Sequence, residues 1–260
     1  MAAAEVGAPE PGPALQLAGG GYRELNELQR SIRPMRGYVA RRVGAERDTR
    51  FLRIAAMCGL AVPVTSAMGW AVGGLAQREA YSSTEDDISD LGAMTASSPW
   101  LYNQIGSNLT GLLIVVLALG LWLSLAPDTL GRLGAAALLL VGVGVFLDGL
   151  FRLDCQGIDV NCQNDSWHSD ADKMESRFTV AFTLLSPIIL AFAFRRVAEW
   201  RDSWVPTLAA IPLSIGLGIL FSVLGDGAAT RATTLTWTLW AAFVGLRLLQ
   251  KTARPQPQPV

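Results

Sequence analysis

Six long apolar stretches dominate the chain from residue 54 onward, at about 54–76, 100–125, 130–151, 176–195, 204–224 and 232–249. About 20 residues rising 1.5 Å each cross a ~30 Å hydrocarbon core, so stretches of this length and purity read as membrane spans. Helices close their own backbone hydrogen bonds in lipid, and no stretch with strand periodicity competes with them. The expected fold is an all-α integral membrane protein, a six-transmembrane-helix bundle. Composition agrees, because 17% of the residues are charged and 51% hydrophobic, against roughly 25% charged in an average soluble domain. The first stretch is too long for a secretory h-region and begins some fifty residues into the chain, so it reads as a span.

Four segments follow from this pattern. Residues 1–21, rich in Ala, Pro and Gly, are expected to form a disordered tail, as are residues 251–260 with their closing "RPQPQPV". Residues 22–53 form a basic juxtamembrane segment in which "YRELNELQRSI" is a short helix candidate, and 54–250 hold the six spans.

The formal net charge of −1 hides a strong asymmetry. Arg23, Arg30, Arg33, Arg36, Arg41, Arg42, Arg47, Arg50 and Arg53 precede the first span, Arg195, Arg196 and Arg201 fall between spans four and five, and Arg247, Lys251 and Arg254 follow the last. The alternate loops "QREAYSSTEDDISD" and "DCQGIDVNCQNDSWHSDADK" each carry five carboxylates against one basic residue. The positive-inside rule then places both termini in the cytoplasm and the two acidic loops outside a cell membrane. The basic segment is expected to meet anionic lipid headgroups rather than nucleic acid. A homo-oligomer is compatible with all of this.

Cys155 and Cys162 share the second acidic loop, where an oxidising compartment permits a disulfide, and two free thiols are the alternative. Cys58, within the first span, reads as a small packing residue. Gly69 and Gly73, and the glycines of "VGVGV" and "SIGLG", let helices approach closely in lipid. Pro63, Pro187 and Pro212 are expected to kink their spans.

Polar residues at the ends of spans need a partner or a task. Asp148 is the deepest, and an ion pair with Arg152 four residues on competes with a place in a polar pocket. Asp154 lies just beyond. Asn103, Gln104, Ser107, Asn108 and Thr110 make the first half of span two polar, and Thr234, Thr236 and Trp240 in span six reach a similar depth. "EDDISDLGA" offers Asp87, Ser89 and Asp90. "SWHSDAD" offers His168, the chain's one histidine, and Asp172 at i and i+4, which share a helix face if span four's helix begins near 168. A histidine and a carboxylate so spaced suit a divalent metal or an acid–base pair.

With "ISDLGA" (88–93), "PWLYN" (99–103), the aspartate ending span three and the "SWH" opening span four, the chain resembles a bacterial and archaeal membrane-protein family, domain of unknown function 998, across residues 54–250. The resemblance implies a characteristic set of Ser89, Asp90, Gly92, Asn103, Asp154 and His168. That family often ends the pattern with His-x-x-x-His, where this chain has His168 and Asp172. "ISDLGA…P" is also similar to the "ISDTG…P" element of the damage-regulated autophagy modulator group, which is related to proteins that remodel lipid-anchored glycans.

Three functions compete. The preferred one is a non-enzymatic membrane protein whose outer acidic cluster binds a lipid headgroup or partner, with Asn103, Asp148 and Asp154 as ligand-binding candidates. The second is a metal-dependent lipid hydrolase or transferase, with Ser89, Asp90 and His168 as catalytic candidates and His168, Asp172 and Asp90 as ligands of a divalent metal. The third is a small transporter using Asp148 as a proton or cation site. A single histidine, and the absence of a Gly-rich phosphate loop, a nucleophile elbow or HExxH, weigh against the second. The absence of an inverted repeat weighs against the third. Ser89, Asp90, Asp154 and His168 are expected to converge.

Overall fold

A computed structural model describes residues 48–77, 81–126 and 128–253. The expected tails and the "YRELNELQRSI" helix lie outside these. Six helices are long and apolar enough to cross a membrane: α1 Asp48–Leu75, α2 Leu101–Ser124, α3 Thr129–Asp148, α4 Trp167–Arg196, α5 Trp204–Phe221 and α6 Asp226–Ala253. Short 3-10 turns at Ser89–Gly92, Ala198–Ser203 and Ser222–Leu224 join them, and the described residues contain no strand.

Helices consecutive in sequence are neighbours in space, and α6 returns to α1, so the bundle closes on itself. Close approach of small residues closes it. A Cβ on Gly59 would meet Gly245 of α6 at 3.0 Å, and one on Gly69 would overlap the backbone of Gly106 in α2. Only glycine allows these crossings, which replace the hydrophobic drive that lipid cannot supply between helices.

The chain ends of the helices sort into two ends of the bundle. One carries the Ala198–Ser203 turn against the last turns of α6. There Arg247 bonds Ser203 Oγ at 3.0 Å and lies 3.5 Å from Asp202, and Lys251 pairs with Glu199 at 3.0 Å above the Trp200 ring. Toward this end Trp200 stacks on Phe194 with ring centres 4.6 Å apart, in the apolar core with Leu121, Leu125 and Leu248.

The other end, the disulfide end, gathers the loops 81–100, 149–166 and 222–225. α4 begins nine residues before its apolar run because Ser166 caps it, its hydroxyl accepting from Ser169 N at 3.3 Å. At Gly225 the chain takes φ +122°, a left-handed conformation that favours glycine. It turns there beneath the 82–87 loop, whose Thr84 and Glu85 carbonyls accept from Ala228 N at 2.9 Å and Gly227 N at 3.3 Å. Otherwise orphaned donors at the start of α6 are satisfied in this way.

The outward faces are apolar. Ile219 is 68% exposed, Leu220 61% and Leu239 53%, and a surface of this kind is stable only against lipid.

Candidate functional site

A cavity of about 520 Å³ lies inside the bundle, with side chains from all six helices in its wall. Its lower wall is aliphatic, from Ile114, Leu138 and Val141. Toward the disulfide end the wall becomes hydroxyl and carboxylate, with Ser107, Thr110, Thr179, Asp148 and Glu175.

The start of α2 shapes that polar half. Leu101–Leu109 is π-helical, a rare geometry found mostly as single-turn bulges inside α-helices and frequent at functional sites. The wider turn brings Tyr102, Gly106, Ser107 and Thr110 to the cavity and leaves Gln104 exposed. The expected stripe of Asn103, Ser107 and Thr110 is therefore divided. Asn103 turns away and donates from Nδ2 to Gly92 O at 3.0 Å. A Cβ on Gly92 would strike Tyr102 and the Asn103 side chain, so "ISDLGA" and "PWLYN" form one clasp.

Asp148 and Glu175 of the cavity wall converge with Asp172, a carboxylate oxygen of each lying within 4.8 Å of the others. Asp172 and Glu175 are buried on the first turns of α4, and Asp148 is half-buried at the last residue of α3. Ser107 Oγ donates to Asp148, the Tyr102 hydroxyl lies beside it, and Thr179 Oγ1 donates to Glu175. Among the described residues no lysine, arginine or histidine forms an ion pair with the three. Lys173 instead directs its ammonium to Asn164 O at 2.5 Å and to Asp170 at 3.5 Å. Two further polar groups in the same wall, Ser186 Oγ and Trp240 Nε1, are buried without a hydrogen-bond partner.

The expected Asp148–Arg152 ion pair does not form. α3 ends at Asp148, so Arg152 lies beyond the helix and shares no face with it, and Asp148 takes hydroxyl partners instead.

The other expected site residues have separate duties. Ser89 lies in the cavity wall with Asp87. Asp90 accepts from Gly157 N at 3.2 Å through its carboxylate, and its carbonyl accepts from Gln156 Nε2 at 3.1 Å, tying the first loop to the disulfide loop. Burial pushes its carboxyl above the usual range. Asp154 accepts from Ser166 Oγ (2.6 Å), Ser166 N (3.0 Å) and Ser169 Oγ (2.9 Å). These bonds, the Ser166 hydroxyl first, hold its carboxyl below the usual range. His168 lies against the Trp167 ring, 3.6 Å between centres. Of the expected metal ligands His168, Asp172 and Asp90, only Asp172 belongs to the group of three ligating side chains found among the described residues.

Cys155 and Cys162 are joined by a disulfide with Cα atoms 5.7 Å apart. Thr95 reaches across to this loop, donating to Asp159 at 2.5 Å and accepting from Gln156 N at 3.0 Å.

Glu175 and Tyr102 escaped the sequence reading. Asp172 and Glu175 at i and i+3 were the available signal, since that spacing puts two side chains on one helix face. Starting the fourth span at 176 left both outside it.

No curated protein and no solved structure matches the chain. A family model described as "Protein of unknown function (DUF998)" matches residues 60–247. That match makes the chain a member of the DUF998 family, and its six long apolar helices make it a multi-pass membrane protein.

Proposed function

We propose that this multi-pass membrane protein works through a cation site inside its bundle, formed by Asp148, Asp172 and Glu175. The observation that carries the reading is the meeting of three carboxylates, Asp148 and Glu175 in the cavity wall and Asp172 against them, with no basic side chain paired to them among the described residues. Like charges this close in a low-dielectric setting take up either protons or a compensating positive charge, and a bound cation supplies the latter. The unpartnered Ser186 Oγ and Trp240 Nε1 in the same wall support an occupant that reaches further into the cavity.

The donor set names the cation class. Carboxylate and hydroxyl oxygens without sulfur or imidazole suit Ca²⁺, Mg²⁺ or Mn²⁺ rather than zinc or copper. In this reading both termini are cytoplasmic and the protein sits in the cell membrane. Arginine placement supports that orientation, and so does the disulfide, which belongs in an oxidising compartment. The cation site then lies in the outer half of the bundle. The arginines before α1 would meet anionic headgroups of the inner leaflet.

One observation favours a second reading, a cation-dependent lipid hydrolase. A volume of about 520 Å³ far exceeds one ion and accommodates a headgroup beside it. A bound cation would there activate water.

Purified full-length protein is dialysed against Ca²⁺, Mg²⁺, Mn²⁺ or Zn²⁺ and analysed for bound metal, with Asp172→Asn as control. One equivalent of a hard cation, lost in the variant, is expected. No stoichiometric metal under any condition refutes the cation site. Metal-dependent release of product from labelled phospholipid vesicles, absent in Asp172→Asn, would select the hydrolase, and bound metal without turnover would exclude it. A carboxyl-terminal tag reactive on intact cells would refute the orientation.

A further inference from the structure

A second feature of the bundle shares the Trp70 and Trp240 rings with the carboxylate cavity but none of its carboxylates. Between α5 and α6, on the membrane-facing side, runs an apolar groove of about 980 Å³. Its walls include Ala209, Leu213 and Phe221 on α5 and Ala232, Leu239 and Phe243 on α6. From Arg231 to Phe243 it follows α6 for twelve residues, about 18 Å at 1.5 Å each. One leaflet of hydrocarbon is about 15 Å deep. The groove therefore has the length of a single lipid lying along the helix.

Its end is polar. Arg231 closes the groove near the start of α6, with Ser83 and Thr84 of the first loop beside it. The residue is 9% exposed. Nη1 donates to Asp86 O at 3.0 Å and to Gly227 O at 2.9 Å, and Nη2 donates to the Tyr81 hydroxyl. Nε is buried without a partner. Among the described residues no carboxylate lies within ion-pair distance of Arg231, and the oxygens that they bring to this buried charge are neutral. A charge in that setting is costly unless an anion completes it. A guanidinium at a membrane interface matches a phosphate, which it can hold through paired donors.

The surroundings narrow the lipid further. The loop that Arg231 clasps carries Glu85, Asp86 and Asp87, and the Asp86 side chain is already bonded to Ser82 N at 2.7 Å. Glu85 is exposed and stands against Gly225 at the turn into α6. A headgroup with phosphate alone would bring net negative charge beside these acids. A headgroup with phosphate and an ammonium answers both, the phosphate on Arg231 and the ammonium toward Glu85. We propose that the α5–α6 groove is a binding site for a zwitterionic, amine-bearing phospholipid, with Arg231 as its phosphate anchor and Glu85 as its ammonium acceptor.

The test is native mass spectrometry of the full chain released from detergent with equal amounts of phosphatidylethanolamine and phosphatidylglycerol of the same acyl chains. Wild type is expected to retain one phosphatidylethanolamine at least about tenfold over phosphatidylglycerol, which amounts to one charge-assisted bond's worth of discrimination. Arg231→Ala loses retention of both lipids. Because that change also unclasps the loop, Ala209→Trp is the companion variant. Ala209 is exposed on the groove wall, so an indole there fills the groove without entering the core. It too is expected to lose the lipid while keeping the wild-type melting temperature. Glu85→Gln is expected to lower retention of phosphatidylethanolamine to the phosphatidylglycerol level. Equal retention of the two lipids by wild type, or a bound phosphatidylethanolamine that survives Ala209→Trp, overturns the proposal. The metal content of these variants is expected to stay at the wild-type value, so failure here is separable from failure of the cation site.

Discussion

Glu175→Gln gives the sharpest test of the carboxylate cavity, because its effect on stability should depend on cation. Three carboxylate oxygens lie within 4.8 Å of one another. At that separation and an effective dielectric near 20, each ionised pair repels by about 3.5 kcal/mol. With all three ionised, neutralising Glu175 removes two of the three pairs, about 7 kcal/mol, and protonation of any one of them lowers this figure. The glutamine keeps an oxygen for the Thr179 hydroxyl, so that hydrogen bond is retained. Even a quarter of that repulsion, about 2 kcal/mol, would raise Tm by roughly 4–8 °C. The variant in chelator should therefore melt above wild type. In saturating Ca²⁺ or Mg²⁺ that advantage should shrink, and reverse where it is below about 2.7 kcal/mol, because wild type gains that much at a hundred times Kd and the variant gains little. Differential scanning fluorimetry of both proteins in one detergent, with chelator or a cation series, reads both effects. A variant that melts at or below wild type in chelator, or that responds to cation as wild type does, refutes the electrostatic argument.

Three other outcomes are expected. Cys155→Ser opens a loop closed across a sequence separation of seven and should cost about 2.5 kcal/mol, read as a lowered Tm that reducing agent reproduces in wild type. Gly106→Val places a branched side chain against the backbone of Gly69 and should abolish the monodisperse peak in size-exclusion chromatography, whereas Gly216→Val, where a Cβ meets nothing within 4 Å, should elute as wild type. Asp154 has a folded pKa below its unfolded value, so its contribution is present above about pH 4 and is lost as pH falls through the folded value. The Tm difference between wild type and Asp154→Asn should accordingly be full at pH 7 and shrink toward pH 3, and a difference that grows on acidification would contradict the assignment.

Most of the bundle was legible because lipid imposes it. A run of about 20 apolar residues has one stable fate in hydrocarbon, so the six spans could be read one at a time without knowing their neighbours. The disulfide partners were legible too, as the two cysteines of a single loop. The function of "ISDLGA" and "PWLYN" was not. Only the folded chain brings Gly92 against Tyr102 and Asn103 and shows that the two elements clasp one another.

The sequence alone determined the number of spans, their order and the segregation of acidic and basic loops, because each depends on local hydropathy and charge. Tertiary structure decided which carboxylates share a space. Asp148 closes one helix and Asp172 and Glu175 open the next, and the intervening loop could have turned them apart. Their meeting depends on glycine crossings and on a π-helical turn in α2 that sets Ser107 and Tyr102 against Asp148. Contacts between residues distant in the chain are fixed by packing, and no local pattern encodes them.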